Sequence, residues 1–236
     1  GYIERKNVKF DRNFAIDREM LFKFLDDTQP EAMAQIRKVY KDVTEDTVVN
    51  FINTEITKAK SSLLSVLKHG VEIAGYKLDL MYTKPATTFN KELLAKYNKN
   101  IFSVMEEVCP NQEKLNRTKD SDWVDLVIFL NGFAIMSFEL KCNFAGQSYQ
   151  DAILQYRTQR NPKTRLFYFK AGCIVNFAMD LQEVYMTTRL ANDGTFFLPF
   201  NMGSGTGIDA GKGNPVYPDK YSVYYICLLY TSDAAD

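Results

Sequence analysis

The chain has 236 residues and a formal charge of zero, because 29 Lys and Arg balance 29 Asp and Glu, and 46% of its residues are hydrophobic. This composition is typical of a folded globular protein with one large domain or two small ones, and it excludes an intrinsically disordered chain. The single histidine, His69, excludes zinc sites built from several His ligands, so any chemistry should depend on carboxylates, lysine and a hard metal. Neutrality argues against a strongly basic nucleic-acid arm but still allows a local basic groove.

The predicted elements begin with helices between Asn13 and Gly70, where Pro30 suits a helix start and Gly70 a helix end. Alternating residues then predict strands at 71–73 and 76–80, followed by a helix at 91–97 and a strand at 101–108. After a polar connection at 111–122, the apolar runs 123–130 and 133–141 flank Asn131-Gly132, a strong hairpin signal. A helix at 148–160, strands at 173–179 and 183–189 and a glycine-rich loop at 201–215 complete the pattern.

Both ends of the chain suggest a fragment. Because it begins with Gly1 instead of Met, we expect it to be part of a longer protein. Residues 227–236 resemble a translated sequencing adapter, and we expect them to be an artefact. Without Asp233 and Asp236 the chain has 27 acids and a charge of +2.

The cellular setting follows from the cysteines and the apolar runs. The four cysteines, Cys109, Cys142, Cys173 and Cys227, form no CxxC pair, which favours a reducing, cytoplasmic compartment. Outside the adapter-like residues 227–236, the longest apolar run, Leu126 to Leu130, has five residues and is far too short for a membrane span, so we expect no membrane partner.

Three charged residues interrupt the apolar hairpin strands: Asp125, Glu139 and Lys141. A two-residue Asn-Gly loop would place Asp125 opposite Phe138, whereas a three-residue loop with a bulge at Gly132 would place it opposite Glu139. We favour the bulged loop, which puts both carboxylates and the ammonium on one face. Two such carboxylates suit Mg²⁺, and Lys141 could act on the attacking water and on developing charge. A structural ion pair is the alternative interpretation.

Other motifs predict less. The segment 203–212 has the wrong spacing for a phosphate-binding loop, and Gly213 follows Lys212 where Ser or Thr is required. His69 fits a helix end better than a ligand position. Asp122 is an alternative to Asp125 as the acid. Arg157 and Arg160, on the predicted helix after the hairpin, either contact DNA phosphates or form a solvated helix face.

A larger set of ordered motifs runs through the chain: DLVIFLNG at 125–132, FELK at 138–141, Gly146-Gln147, Asp151-Ala152, Gln155-Tyr156, NFAMD at 176–180, VYMTT at 184–188, FLPFN at 197–201 and GNP at 213–215. Together they resemble the N-terminal nuclease region of the restriction (R) subunit of type I restriction–modification enzymes. The resemblance covers nearly all of residues 1–226.

The resemblance implies a PD-(D/E)xK nuclease: a restriction-endonuclease-like α/β (mixed α+β) fold, whose central mixed sheet is flanked by helices. Residues 1–70 would be its helical N-terminal part, 71–200 the nuclease core, and 201–226 a glycine-rich linker toward a helicase-like motor outside this chain. The family's metal-binding acids match Asp125 and Glu139, its lysine matches Lys141, and the Gln of its Gln-x-x-x-Tyr motif matches Gln155. The Tyr position holds Gln159, a departure that puts the contribution of the phenol in doubt.

The function implied is Mg²⁺-dependent hydrolysis of DNA phosphodiesters, coupled in the intact enzyme to ATP-driven translocation. ATP would be used only by the motor, and the partners would be DNA and the specificity and methyltransferase subunits. Two alternatives remain: a non-catalytic module that docks the subunit on its partners or DNA, and a free-standing nuclease without a motor. The sequence downstream of Ile226 would distinguish the second, since helicase motifs there would exclude it.

Overall fold

The computed structural model describes residues 1–87, 89–111 and 123–200. Six α-helices occur in these residues: α1 (Arg18–Thr28), α2 (Pro30–Tyr40), α3 (Thr44–Thr57), α4 (Leu63–His69), α5 (Lys91–Tyr97) and α6 (Tyr149–Thr158). The strands are β1 (Ile3–Arg5), β2 (Phe10–Asp11), β3 (Ile16–Asp17), β4 (Val71–Ile73), β5 (Tyr76–Leu78), β6 (Phe102–Val108), β7 (Val124–Leu130), β8 (Phe133–Leu140), β9 (Val175–Met179), β10 (Val184–Thr187) and β11 (Leu198–Pro199). The glycine-rich linker and the adapter-like tail lie outside the described residues.

A mixed sheet forms the centre of the described structure. Seven of its nine strands follow the order β1-β6-β7-β8-β9-β10-β11, and β3 pairs with both β2 and β8. The pairs β1–β6 and β8–β9 are parallel, and the other pairs in the sheet are antiparallel. The predicted fold class, a mixed α/β sheet with a helical N-terminal part, is therefore confirmed.

The strands β7 and β8 lie in the middle of the sheet and are covered on both faces. One face, which includes Ile128 and Phe138, packs against the buried side chains of α1–α4. The other face, which includes Val127 and Phe129, packs against Ala152 and Tyr156 of α6. This two-sided burial explains why the strands read as continuous apolar runs, and it makes any charged residue within them costly unless it is paired.

The N-terminal helices begin and end where local chemistry requires. Asp17 caps α1, because its carboxylate accepts a hydrogen bond from the N–H of Met20. Pro30 is the first residue of α2, where a missing N–H has no cost. Gly70 ends α4 with a φ of +72°. The sequence did not indicate β1, β2 and β3, through which residues 1–17 join the same sheet.

No helix in the described ranges combines the length and the apolar character needed to cross a membrane.

The loop predicted for the β7–β8 hairpin is wrong, although its consequence for the register is correct. Asn131 and Gly132 form a two-residue turn with φ values of +49° and +85°, and Leu130 pairs with Phe133. Both positive angles are those of a type I′ turn, for which Asn-Gly is the preferred sequence. The extra residue is Ile135, further along β8, where the register shifts so that Leu126 pairs with Phe138. One step beyond that pair lie Asp125 and Glu139.

Gly132→Ala should destabilise the fold by about 3 kcal/mol, because a Cβ at this position meets two obstacles. It would lie 2.4 Å from the carbonyl oxygen of Asp17 and 2.7 Å from the backbone N of Leu21, and it would also have to adopt a φ of +85°. Gly75→Ala is the matched control: its φ is +80° but nothing lies within 4 Å, so only the conformational cost of about 1 to 2 kcal/mol applies. Hydrogen exchange measures the free energy of unfolding of both variants. An equal loss in Gly132→Ala and Gly75→Ala would contradict the steric argument.

Candidate active site

The candidate site lies at the end of the β7–β8 hairpin that is far from its turn. Asp125 is the second residue of β7, Glu139 is the last but one of β8, and Lys141 follows β8 directly. One oxygen of Asp125, Oδ2, accepts a hydrogen bond of 2.7 Å from the backbone N–H of Leu140. The same oxygen lies 4.0 Å from Nζ of Lys141. The structure therefore brings together the three charged residues predicted from the sequence.

The three side chains differ in their contact with solvent. The Asp125 side chain is 38% exposed and that of Lys141 is 11% exposed. Glu139 is fully buried. A ligand from solvent could therefore approach the site from the side of Asp125, and Glu139 lies buried behind that residue.

Glu139 pairs with Arg160, a buried arginine that was expected to contact DNA phosphates or solvent. Its Oε1 accepts a hydrogen bond of 2.6 Å from Nε of Arg160, and both side chains are completely buried. Burial raises the pKa of Glu139 to about 7, because desolvation of the carboxylate outweighs the attraction of Arg160. The other oxygen, Oε2, is buried without a hydrogen-bond partner.

The predicted contact of Arg160 with DNA phosphates is wrong, because this residue is only 1% exposed and its guanidinium points into the protein. In addition to Glu139 it binds the carbonyl oxygen of Trp123 at 2.7 Å. Arg157 is partly buried and donates two hydrogen bonds to the carbonyl oxygen of Thr195, at 3.1 and 2.8 Å. Its contact with DNA stays a prediction.

Helix α6 covers the face of the sheet that carries Glu139. The hydroxyl of Tyr156 lies 2.8 Å from Oγ of Ser137, two residues before Glu139 on β8, and Ser137 in turn donates to Asn176 at 2.7 Å. Because Tyr156 is buried in this network, it does not substitute for the phenol expected at position 159. Gln159 is exposed and directly follows the last residue of α6.

Gln155 stands on α6 beside this network and is partly buried. Within the described ranges, no hydrogen bond joins its side chain to Asp125, Glu139 or Lys141. Its assistance to the reaction therefore stays a prediction.

The donor atoms present fit a hard divalent cation. Glu139 offers a buried oxygen without a hydrogen bond, and Asp125 offers a second carboxylate one strand away. Carboxylate oxygens are the ligands that Mg²⁺ prefers, and this ion usually keeps several waters. In the described part of the chain, no group of three or more His, Cys, Asp or Glu side chains is placed to hold a metal. Water and substrate would have to supply the remaining ligands.

The remaining candidates are outside this site or outside the described residues. His69 is the last residue of α4, where its Nδ1 lies 2.8 Å from the carbonyl oxygen of Ser65, as expected for a helix end. Asp122 and the 203–212 segment are not among the described residues.

The fold and the site together define a class: a mixed α/β domain with two carboxylates and an ammonium on one face of its central hairpin. The family described as the type I restriction enzyme R protein N terminus matches residues 12–195, and the chain belongs to this family. Its members are regions of the nuclease subunits of restriction enzymes. Neither a curated protein nor a solved structure matches the chain.

Proposed function

We propose that this region is the endonuclease domain of a type I restriction enzyme R subunit and that it hydrolyses DNA phosphodiester bonds in a Mg²⁺-dependent reaction. The observation that supports this most directly is the arrangement of Asp125, Glu139 and Lys141 at one end of the central β7–β8 hairpin, with Glu139 fully buried. A buried carboxylate is expensive in such a place, and the contact of Glu139 with Arg160 leaves its Oε2 buried without a hydrogen bond.

Each residue has a distinct proposed role. Asp125 and Glu139 would hold Mg²⁺, which when bound polarises a phosphoryl oxygen and lowers the pKa of coordinated water. The ammonium of Lys141 would orient the attacking water and stabilise the negative charge that develops on the phosphate. Gln155 would donate a hydrogen bond to a phosphate oxygen or orient Lys141.

In the intact enzyme we propose that cleavage is coupled to ATP-driven translocation by a motor outside this chain. The specificity and methyltransferase subunits would supply sequence recognition, so this region should contact the DNA backbone without reading bases. Within this proposal the protein functions in the cytoplasm.

Asp125→Asn in the full-length R subunit, assembled with its partner subunits, tests the proposed metal site. We expect cleavage of circular DNA at a fixed low Mg²⁺ concentration to fall about 100-fold, because a neutral amide is a poor ligand for Mg²⁺. Part of the rate should return at higher Mg²⁺. Asp42→Asn, which changes an exposed aspartate between α2 and α3, is the control and should cleave normally. Unchanged cleavage by the Asp125 variant would favour a non-catalytic docking module instead.

A further inference from the structure

Arg160 connects the end of α6 to both strands of the hairpin that carries the candidate site. Its Nε binds Oε1 of Glu139 on β8, and its Nη2 binds the carbonyl oxygen of Trp123, which directly precedes β7. Since Asp125 is only two residues after Trp123, one guanidinium fixes the position of both carboxylate-bearing strands.

The contact with Glu139 uses only one of the carboxylate oxygens. Arginine commonly binds a carboxylate through two parallel hydrogen bonds, as Arg37 binds Asp26 on the helical layer, at 2.7 and 2.8 Å. Arg160 instead binds Glu139 through Nε and a backbone carbonyl through Nη2, and both its Nη1 and Oε2 of Glu139 are buried without a hydrogen bond. A bidentate contact would have occupied the very oxygen that a cation needs.

We propose that Arg160 is a positioning residue that holds Glu139 in the orientation required for divalent-cation binding. The inference rests on the proposed function, because it takes Glu139 as a metal ligand. A guanidinium near a bound cation also repels it, but both groups attract the same carboxylate from different oxygens. Loss of a hydrogen-bond partner behind a metal ligand commonly weakens metal affinity 10- to 100-fold, and this orienting effect should dominate over the repulsion.

The test measures Mn²⁺ binding to the full-length R subunit without ATP, by calorimetry, so that it does not depend on cleavage. We expect Arg160→Met to weaken binding at this site roughly 10-fold or more. Arg160→Lys should retain part of the affinity, because one ammonium can reach Glu139 but cannot bind Glu139 and Trp123 in the same fixed geometry. Arg37→Met, which removes a surface ion pair, should leave the affinity unchanged.

A double variant separates an effect through Glu139 from a general loss of structure. Arg160→Met should have no further effect on Mn²⁺ affinity when Glu139→Gln is already present. Unchanged or tighter binding by Arg160→Met alone, or a further loss in the double variant, would overturn the positioning role. If Glu139→Gln itself left Mn²⁺ binding unchanged, the proposed metal site would fail instead, so the two failures are distinguishable.

Cleavage kinetics provide a second readout. The Arg160→Met variant should require a higher Mg²⁺ concentration for half-maximal cleavage while its maximal rate falls less. A variant that was only misfolded would lose its maximal rate and would not respond to Mg²⁺, which would contradict the proposal.

Discussion

Lys141→Ala in the full-length R subunit should reduce DNA cleavage about 1,000-fold while ATP hydrolysis by the rest of the enzyme continues. The ammonium lies 4.0 Å from Asp125 and is mostly shielded from solvent, so its charge acts on the phosphate with little screening. Removing a group that orients water and stabilises charge in the transition state commonly costs 100- to 10,000-fold. Unlike Asp125→Asn, this loss should not be relieved by more Mg²⁺, because the lysine is not a metal ligand.

The measurement is the conversion of supercoiled DNA to linear product by the assembled enzyme, with ATP hydrolysis followed in the same samples. Lys163→Ala is the matched control, since Lys163 is an exposed lysine on the segment after α6 and should be dispensable for cleavage. Persistent cutting by Lys141→Ala would show that the catalytic assignment is wrong. Parallel loss of cleavage and ATP hydrolysis would instead indicate a defect in assembly.

The sequence predicted the register of the hairpin better than its geometry. Any single extra residue in β8 between Phe133 and Phe138 brings Asp125 opposite Glu139, so the pairing does not depend on where the bulge lies. The type I′ turn at Asn131-Gly132 follows from a local preference, because Asn-Gly is the favoured sequence for this turn. The position of the bulge at Ile135 depends on packing between β8 and its neighbours, which no local pattern records.

The burial of Arg160 was not predicted from the local sequence. A basic residue at the end of an amphipathic helix is usually solvated, and this one is buried because of a partner 21 positions earlier in the chain. The sequence did contain a signal, because a carboxylate in a strand covered on both faces requires a nearby cation. Since Lys141 pairs with Asp125, Glu139 needs a different cation. The strand β1 was missed for another reason, since three residues pairing with β6 carry no periodicity.

The buried ion pair between Glu139 and Arg160 also predicts that removing Glu139 costs more stability than removing Arg160. Glu139→Leu should destabilise the region around β7, β8 and α6 by about 3 to 5 kcal/mol, because it leaves Arg160 as a buried cation without its counter-ion. An arginine guanidinium does not become neutral at ordinary pH, even when it is buried. Arg160→Met should cost less, because Glu139, whose pKa burial already raises to about 7, can take up a proton instead.

The cost of Arg160→Met should therefore depend on pH, with a sign set by linkage. A carboxyl whose pKa is higher in the folded state than in the unfolded state binds more protons when folded, so stability falls as pH rises through the folded pKa. Loss of Arg160 removes an attraction that lowers this pKa, so the variant should be least destabilised near pH 6 and more so toward pH 8. The cost of Glu139→Leu should instead fall over this range, because the wild-type carboxyl loses its proton and the variant has no group there to titrate.

Hydrogen exchange by mass spectrometry in the intact, metal-free subunit measures these losses locally, on peptides from β7, β8 and α6, after correction for the effect of pH on intrinsic rates. The double variant Glu139→Leu with Arg160→Met should recover most of the stability lost in Glu139→Leu, because two apolar side chains replace two charges. Such a recovery without cleavage would show that this ion pair is retained for the chemistry of the site and not for the stability of the fold. Additive losses in the double variant would contradict the coupling between the two residues.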